Sequence, residues 1–330
     1  MIKNFMGINQ LFNIQNDTDF EREALEIFKY QSVENQVYTR FLKYLKVDLK
    51  QIDCIKKIPF LPIQFFKTHC VLSTKSPIIQ TFLSSGTTGM SQSKHHITNL
   101  AIYEESFKTC FEQFYGPVKK YAVLALLPSY LEREGSSLIY MVDALIKDSE
   151  NTDSGFYLDD YDSIIEKLHS LNFKGKKVLL IGVTYALLDL IERENFSLKN
   201  TIVMETGGMK GRRKEMIRQE LHALLTDGFG VETIHSEYGM TELLSQAYSK
   251  GKGVFECPNW MKIIIRDTED PFSVLPAGKS GGINVIDLAN IESCSFIATQ
   301  DLGKMHTATT FEILGRFDHS DIRGCNLLVQ

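Results

Sequence analysis

Ser84-Ser85-Gly86-Thr87-Thr88-Gly89 packs four hydroxyls and two glycines into six consecutive residues. Such a stretch can wrap phosphate oxygens. Glycine admits positive φ and close backbone approach, the N–H groups turn into the concavity, and the hydroxyls add donors. The same composition also describes a surface turn rich in Ser, Thr and Gly, and by itself the stretch does not choose between the two. Four further loops carry groups of similar potential: Thr206-Gly207-Gly208, Glu237-Tyr238-Gly239-Met240-Thr241-Glu242, Thr299-Gln300-Asp301-Leu302-Gly303 and Gly315-Arg316-Phe317-Asp318. Familiar alternatives are missing. There is no loop ending in Gly-Lys-Ser/Thr, no G-x-G-x-x-G, no H-E-x-x-H and no G-x-S-x-G, which disfavours P-loop NTPases, dinucleotide oxidoreductases, zincins and serine hydrolases.

The elements that must position these groups alternate in type. Residues 1–75 read as mostly helical, with helical spacing in Phe20–Tyr30 capped by Asp17 or Thr18, until Pro59 and Pro62 break the pattern. From about 78 to 250, apolar runs predict strands at Ile78–Leu83, Tyr121–Leu127, Lys177–Val183, Thr201–Thr206 and Val231–His235. Helical patterns lie between them, the last closed by Gly228. Strands of this kind argue for a largely parallel sheet covered on both faces, in which ligands sit at the carboxyl ends of strands. The hydroxyl-glycine stretch after Leu83 takes that position, as do the loops at Gly207 and Tyr238. Beyond Gly251 the expected strands are short (Trp260–Arg266, Gly282–Asp287, Ser295–Thr299, Phe311–Leu314) and suggest a smaller β-rich subdomain.

Composition narrows the partners. A chain of 330 residues with 43% hydrophobic and 23% charged residues has the make-up of a soluble globular protein. A net charge of −5 argues against nucleic acid as the main partner, and no apolar run is long enough to span a bilayer. Six scattered cysteines without a C-x-x-C pair read as reduced thiols, and the N-terminus has no signal-peptide pattern, so a cytoplasmic location is expected.

With these motifs in this order, the chain resembles the adenylate-forming superfamily of acyl-CoA synthetases. Ser84–Gly89 is similar to its phosphate loop, Tyr238–Glu242 to its Y-G-x-T-E motif, Asp301 to its ribose-binding Asp, and Gly315-Arg316-x-Asp318 to its hinge motif. Within it the chain looks like the acyl-protein synthetases, the fatty-acid-activating component of the bacterial luciferase fatty acid reductase complex, with phenylacetate–CoA ligases nearby. Leu127-Pro-Ser-Tyr-Leu-Glu-Arg133, Gly135–Met141 and Ser320–Leu328 carry that closer resemblance.

The resemblance implies an α/β fold built as the large N-terminal domain of adenylate-forming enzymes, with layered, mostly parallel sheets, helices and a small β-rich subdomain. The expected divisions are a helical segment at 1–75, a nucleotide-binding core at 76–250, the β-rich part at 251–315 and a hinge remnant with tail at 316–330. It also implies ATP and Mg²⁺. Ser84, Ser85, Gly86, Thr87, Thr88 and Gly89 would hold the β- and γ-phosphates, with Lys94 as a candidate helper one residue beyond the usual family lysine. Thr241 would donate to the α-phosphate and Glu242 would coordinate the metal. Gly207 and Gly208 would admit the adenine, Tyr238 would stack on it, and Asp301 with Arg316 would bind the ribose. Val183-Thr184-Tyr185, Ser136 and Ser137 would face the acyl pocket.

The chain stops at Gln330, twelve residues after Asp318, so the mobile C-terminal domain of the superfamily, with its lysine, is expected to be absent. A nucleophile for the second step is Cys325, which the resemblance matches to the acylated cysteine of the acyl-protein synthetases. By chemistry alone, a free cysteine is more often a small buried hydrophobe. The expected function is activation of a carboxylic acid, fatty or aryl, to acyl-AMP and transfer to Cys325, then to an acyl-acceptor protein or reductase partner. Two alternatives stay open: a short acyl/aryl-CoA or carrier-protein ligase, and a non-catalytic nucleotide-binding subunit.

Overall fold

The computed structural model describes residues 11–84, 92–127, 135–207, 213 and 216–317. Two helices open the chain, α1 (Asp17–Glu34) and α2 (Gln36–Tyr44), and asparagine caps both. Asn16 accepts from the Asp19 N–H, and Asn35 accepts from the Tyr38 N–H while its amide donates to the Ser293 carbonyl (2.7 Å). One side chain thus ends one helix, starts the next and fastens both to the far end of the sequence. The proline-broken run follows as β1 (Leu61–Pro62) and a single helical turn, α3 (Phe65–Thr68).

A short hairpin comes next, β2 (Gln80–Leu83) paired antiparallel with β3 (Lys94–Ile97), followed by α4 (Leu100–Tyr115) capped by Asn99. This corrects one expectation. The run ending at Leu83 is not a strand of the parallel sheet but one arm of a two-stranded ribbon, and the hydroxyl-glycine stretch lies in the sequence between the two arms. A four-residue run beside a Gly-rich stretch carries no mark of which partner it pairs with.

The main sheet is then laid down as β4 (Ala122–Leu126), α5 (Ser137–Asp148), β5 (Gly155–Phe156), α6 (Tyr161–Phe173), β6 (Val178–Val183), α7 (Thr184–Arg193), β7 (Thr201–Thr206), α8 (Arg218–Phe229) and β8 (His235–Tyr238). In the order β5-β4-β6-β7-β8 these strands are all parallel. Every residue of β4 and β6 is buried, as the continuous apolar runs require when helices cover both faces. Helix α7 begins directly at the end of β6, where the sequence suggested only a strand end. Helix α8 runs past Gly228 and stops at Gly230, whose φ of 63° is the left-handed conformation a helix terminus uses.

Beyond β8 the direction reverses. Strands β9 (Ala247–Ser249), β10 (Val254–Glu256), β11 (Met261–Arg266), β12 (Ser280–Asp287), β13 (Phe296–Met305) and β14 (Thr310–Arg316) extend the same sheet antiparallel, in the order β8-β9-β10-β14-β13-β12-β11, with β1 on β13. The sheet is therefore mixed: parallel in one half and antiparallel in the other, rather than mostly parallel. The strands after Gly251 continue it, because β9 and β10 form a bridge that pairs on one side with β8 and on the other with β14. Among the described residues no helix is long and apolar enough to cross a membrane.

Candidate active site

Where the sheet changes direction, β8 is its last parallel strand. The strand starts four residues and ends three residues later than expected, so Glu237 and Tyr238 are its final residues and the turn begins at Gly239. The side chain of Tyr238 is buried, with Phe255 and Phe311 edge-on to its ring at 6.1 and 6.0 Å. Its hydroxyl donates to Asp301 Oδ2 at 2.8 Å, which together with burial raises the phenol well above its ordinary range. The expected stacking partner of an adenine is thus held as a support for the neighbouring acid.

Asp301 lies inside β13, directly across the ladder from Arg316 on β14, and not in a loop. Arg316 Nε donates to Asp301 Oδ1 at 3.1 Å from a mostly exposed position. Both carboxylate oxygens are therefore oriented, one by a buried phenol and one by a guanidinium at the surface. Beneath them Arg266, which sequence reasoning missed, donates to the carbonyls of Ile283 and Thr299 and to Asn284 Oδ1. Burial lowers this guanidinium to about 10. Its face lies over the Phe317 ring at 5.7 Å, and the Phe317 N–H donates to the Gln300 carbonyl (2.7 Å), so the chain leaves β14 beside Asp301.

The turn after Tyr238 is held on every side. Asp287 accepts from the N–H groups of Leu244 (3.0 Å) and Ser245 (2.9 Å) and from the Ser245 hydroxyl (2.6 Å), while Asn290 donates to the Glu242 carbonyl (2.8 Å). Burial raises Asp287 to about 6 despite these donors. His95, on β3 and fully buried, donates from Nδ1 to the Thr241 carbonyl (2.9 Å). These three groups were not singled out from the sequence. For His95 the signal was available, because alternation along Lys94–Ile97 puts His95 and Ile97 on the inward face.

Glu242 itself is buried, and desolvation raises its carboxyl; the Ser93 side chain hydrogen-bonds to it, and the charges of Arg316 and Lys67 oppose the rise. Ser93 is also the closing residue of the hairpin. The Ser84 N–H donates to the Ser93 carbonyl (3.1 Å), the Ser93 N–H donates to Ser84 Oγ (2.9 Å), and Gln92 donates to the Ser84 carbonyl (3.0 Å). The root of the hydroxyl-glycine stretch therefore adjoins Glu242. Ser84, expected among the phosphate donors, serves as the neck of the hairpin through its acceptor oxygen. Ser85, Gly86, Thr87, Thr88 and Gly89 lie outside the described residues, as do Gly208, Asp318 and Cys325.

Gly207 follows β7 with φ of 71°, and its carbonyl accepts from Thr184 Oγ1 (3.3 Å). Thr184 and Tyr185 are buried in the first turn of α7, and Thr184 also reaches Glu205 Oε2 (3.3 Å). Ser136 caps α5 by accepting from the Ile139 N–H (3.3 Å), while Lys94 is exposed on β3. A further acid missed in the sequence is Glu237, which accepts from Thr206 Oγ1 (2.5 Å) and is raised to about 7, first by burial.

The arrangement suits a divalent cation held by a nucleotide. Among the described residues no group of three or more His, Cys, Asp or Glu could enclose a metal by itself. What the site offers is one buried, hard oxygen donor, whose carboxyl is raised by desolvation. Mg²⁺ is bound in this way, by one or two carboxylates with phosphate oxygens and water completing the shell.

A family model described as "Acyl-protein synthetase, LuxE" matches residues 11–330. Among solved structures the chain is similar to a 2-hydroxyisobutyryl-CoA ligase in complex with 2-HIB-AMP and CoA, at TM-score 0.69 and 10% identity over 92% of this chain and 70% of that one. It is similar to ATP-bound MatB from Rhodopseudomonas palustris at TM-score 0.56 and 17% identity, covering 74% of this chain and 49% of the other. It is also similar to O-succinylbenzoate coenzyme A synthetase (MenE) from Bacillus subtilis in complex with ATP and magnesium ion, at TM-score 0.52 and 18% identity over 74% and 51%. The chain spans about half the length of these last two. No curated protein matches it.

Proposed function

The chain belongs to the LuxE acyl-protein synthetase family, and on that premise we propose that it uses ATP to activate a fatty acid as its acyl adenylate and passes the acyl group to Cys325. In the first step a carboxylate oxygen bonds to the α-phosphorus and pyrophosphate leaves. In the second the Cys325 thiolate attacks the acyl carbonyl, AMP leaves with the bonding pair, and a thioester remains. An acyl-acceptor protein or a reductase takes the acyl group from there.

The observation that carries this reading is the meeting of two constellations beside the turn that follows β8. Tyr238, Asp301 and Arg316 form one, and Ser84, Ser93, Thr241 and Glu242 form the other. The first presents a carboxylate oriented at both oxygens, suited to accept from the two hydroxyls of a ribose. The second brings the root of a phosphate loop to a carboxylate suited to Mg²⁺, which would neutralise charge on the phosphates. Thr241 would donate to the α-phosphate, and Ser85–Gly89 would hold the β- and γ-phosphates. Charge spreads over phosphate oxygens as pyrophosphate departs, so the chain contributes chiefly by position and electrostatics. Gly207, with positive φ and no side chain, suits the approach of the adenine, with Gly208 beside it. Tyr238 supports the ribose site through Asp301.

Phe317, fixed beside Asp301, supports the reach of the tail. The eight residues from it to Cys325 extend at most about 28 Å, enough to return to the adjoining phosphate site. Incubation with ATP, Mg²⁺ and a long-chain fatty acid, followed by intact mass measurement, tests the transfer. The expected result is one acyl adduct, labile to hydroxylamine and absent in Cys325→Ser. An adduct that persists in that variant, or acyl transfer to free coenzyme A undiminished by it, would overturn the assignment of Cys325.

A further inference from the structure

The turn bearing Thr241 and Glu242 is gripped from two directions. Asp287 and Asn290 hold it from the antiparallel half of the sheet, through the N–H groups of Leu244 and Ser245 and the carbonyl of Glu242. His95 holds it from the hairpin, through the carbonyl of the preceding residue, Thr241. Consecutive carbonyls are thus fixed by donors from two separate segments.

A carbonyl only accepts, so the 2.9 Å contact assigns the imidazole proton to Nδ1. In a neutral ring Nε2 is then an acceptor, and the Ser293 hydroxyl lies 2.8 Å from it. Ser293 belongs to the same buried segment as Asn290. Its own carbonyl accepts from Asn35 and from the Ser73 hydroxyl. The ring is fully buried, with Phe66 edge-on at 5.4 Å. Burial drives its basicity down to about 4, so it remains neutral at ordinary pH. Two residues before it, just ahead of β3, Ser93 closes the neck of the hydroxyl-glycine stretch and touches Glu242.

We propose that His95 is a positioning residue for adenylation: a neutral imidazole, donating from Nδ1 and accepting at Nε2, that locks the phosphate-loop hairpin to the Thr241–Glu242 turn. The two parts that must face one triphosphate then stand at a fixed separation. Without the lock the hairpin is still joined through Ser93, but the carbonyl of Thr241 loses its donor and the turn is free to shift away from the hairpin. This inference rests on the function proposed above, and it is testable apart from it.

Histidine-selective ¹⁵N NMR of the whole protein reads the ring directly. A neutral Nδ1–H tautomer is expected, whereas an Nε2–H tautomer or a charged ring at pH 7 would overturn the assignment whether or not the protein turns over. Amide hydrogen exchange of residues 241–245 is expected to accelerate about 10- to 100-fold in His95→Leu and to return towards wild type in His95→Asn, whose amide can reproduce the Nδ1 donor. In ATP–pyrophosphate exchange, His95→Leu should lose about 10- to 100-fold in kcat with the KM for the fatty acid unchanged, and His95→Asn should recover most of it. If His95→Leu does not fold, Ser293→Ala removes only the partner of Nε2 and should give a smaller kcat loss in a folded protein. Equal exchange in all variants, or a His95→Asn that folds yet is as impaired as His95→Leu, would contradict the proposal. Wild-type protein with the expected tautomer and protection but no exchange would instead overturn the proposed function alone.

Discussion

The two halves of the sheet serve the site in different ways. In the parallel half, β4 and β6 are buried apolar walls, and the groups with chemical potential stand at or just beyond the carboxyl ends of β7 and β8: Gly207, Tyr238, Thr241 and Glu242. In the antiparallel half such groups lie within strands, where Asp301 and Arg316 face each other across a ladder. A parallel strand leaves its last residues and the following turn free to meet a ligand, because the chain must cross back over the sheet. An antiparallel ladder offers its surface instead, and a charged pair in register makes a rigid platform. Under the proposed function, the loops of the parallel half would serve the reacting phosphates, and the ladder of the antiparallel half would serve the part of the nucleotide that does not change.

That division is open to experiment, because it predicts kcat effects in one half and KM effects in the other. Glu242→Gln should have the largest effect, lowering kcat of ATP–pyrophosphate exchange by about 10²- to 10³-fold through lost charge at the metal. A change confined to the KM for ATP would break the comparison. Asp301→Ala removes the partner of both Tyr238 and Arg316. The KM for ATP should rise about 10- to 100-fold with a smaller change in kcat, as titration of initial rates against ATP would show. Tyr238→Phe should follow the antiparallel half although Tyr238 ends a parallel strand, because its hydroxyl serves Asp301: the ring stays between Phe255 and Phe311, but Asp301 is left with Arg316 alone. A KM increase of about fivefold and a stability loss of about 1 kcal/mol in urea unfolding are expected. Gly230→Ala, at the carboxyl end of α8, should cost about 1–2 kcal/mol in the same unfolding experiment without changing KM, since alanine is strained at φ of 63° and its Cβ would lie 2.6 Å from the Phe196 carbonyl oxygen.

The parallel half was legible in the sequence for a physical reason. Strands buried on both faces must be apolar throughout, so Ala122–Leu126 and Val178–Val183 stand out, and the glycine after Thr201–Thr206 marks the end of that strand. Legibility failed where pairing, rather than composition, decides. Gln80–Leu83 reads as a strand in either setting, and only its partner Lys94–Ile97 shows that it belongs to a hairpin. Phe296–Met305 is interrupted by polar residues and Gly303, so its second half looked like a loop, although those residues form a ladder with β14 that places Asp301 opposite Arg316. The motif residues themselves were recognised by type and order. Their supports were not, because His95, Asp287 and Asn290 are common polar residues whose role comes from burial and from partners up to 198 positions away.

The central claim is that the two constellations together activate a carboxylic acid on ATP. Acid-dependent exchange of labelled pyrophosphate into ATP, measured across fatty acids of increasing chain length, tests it most directly. The account predicts exchange that requires both acid and Mg²⁺, depends on chain length and survives in Cys325→Ser, since the thiol acts only after pyrophosphate has left. Bound ATP without exchange for any carboxylic acid, or exchange that does not depend on acid, would contradict it.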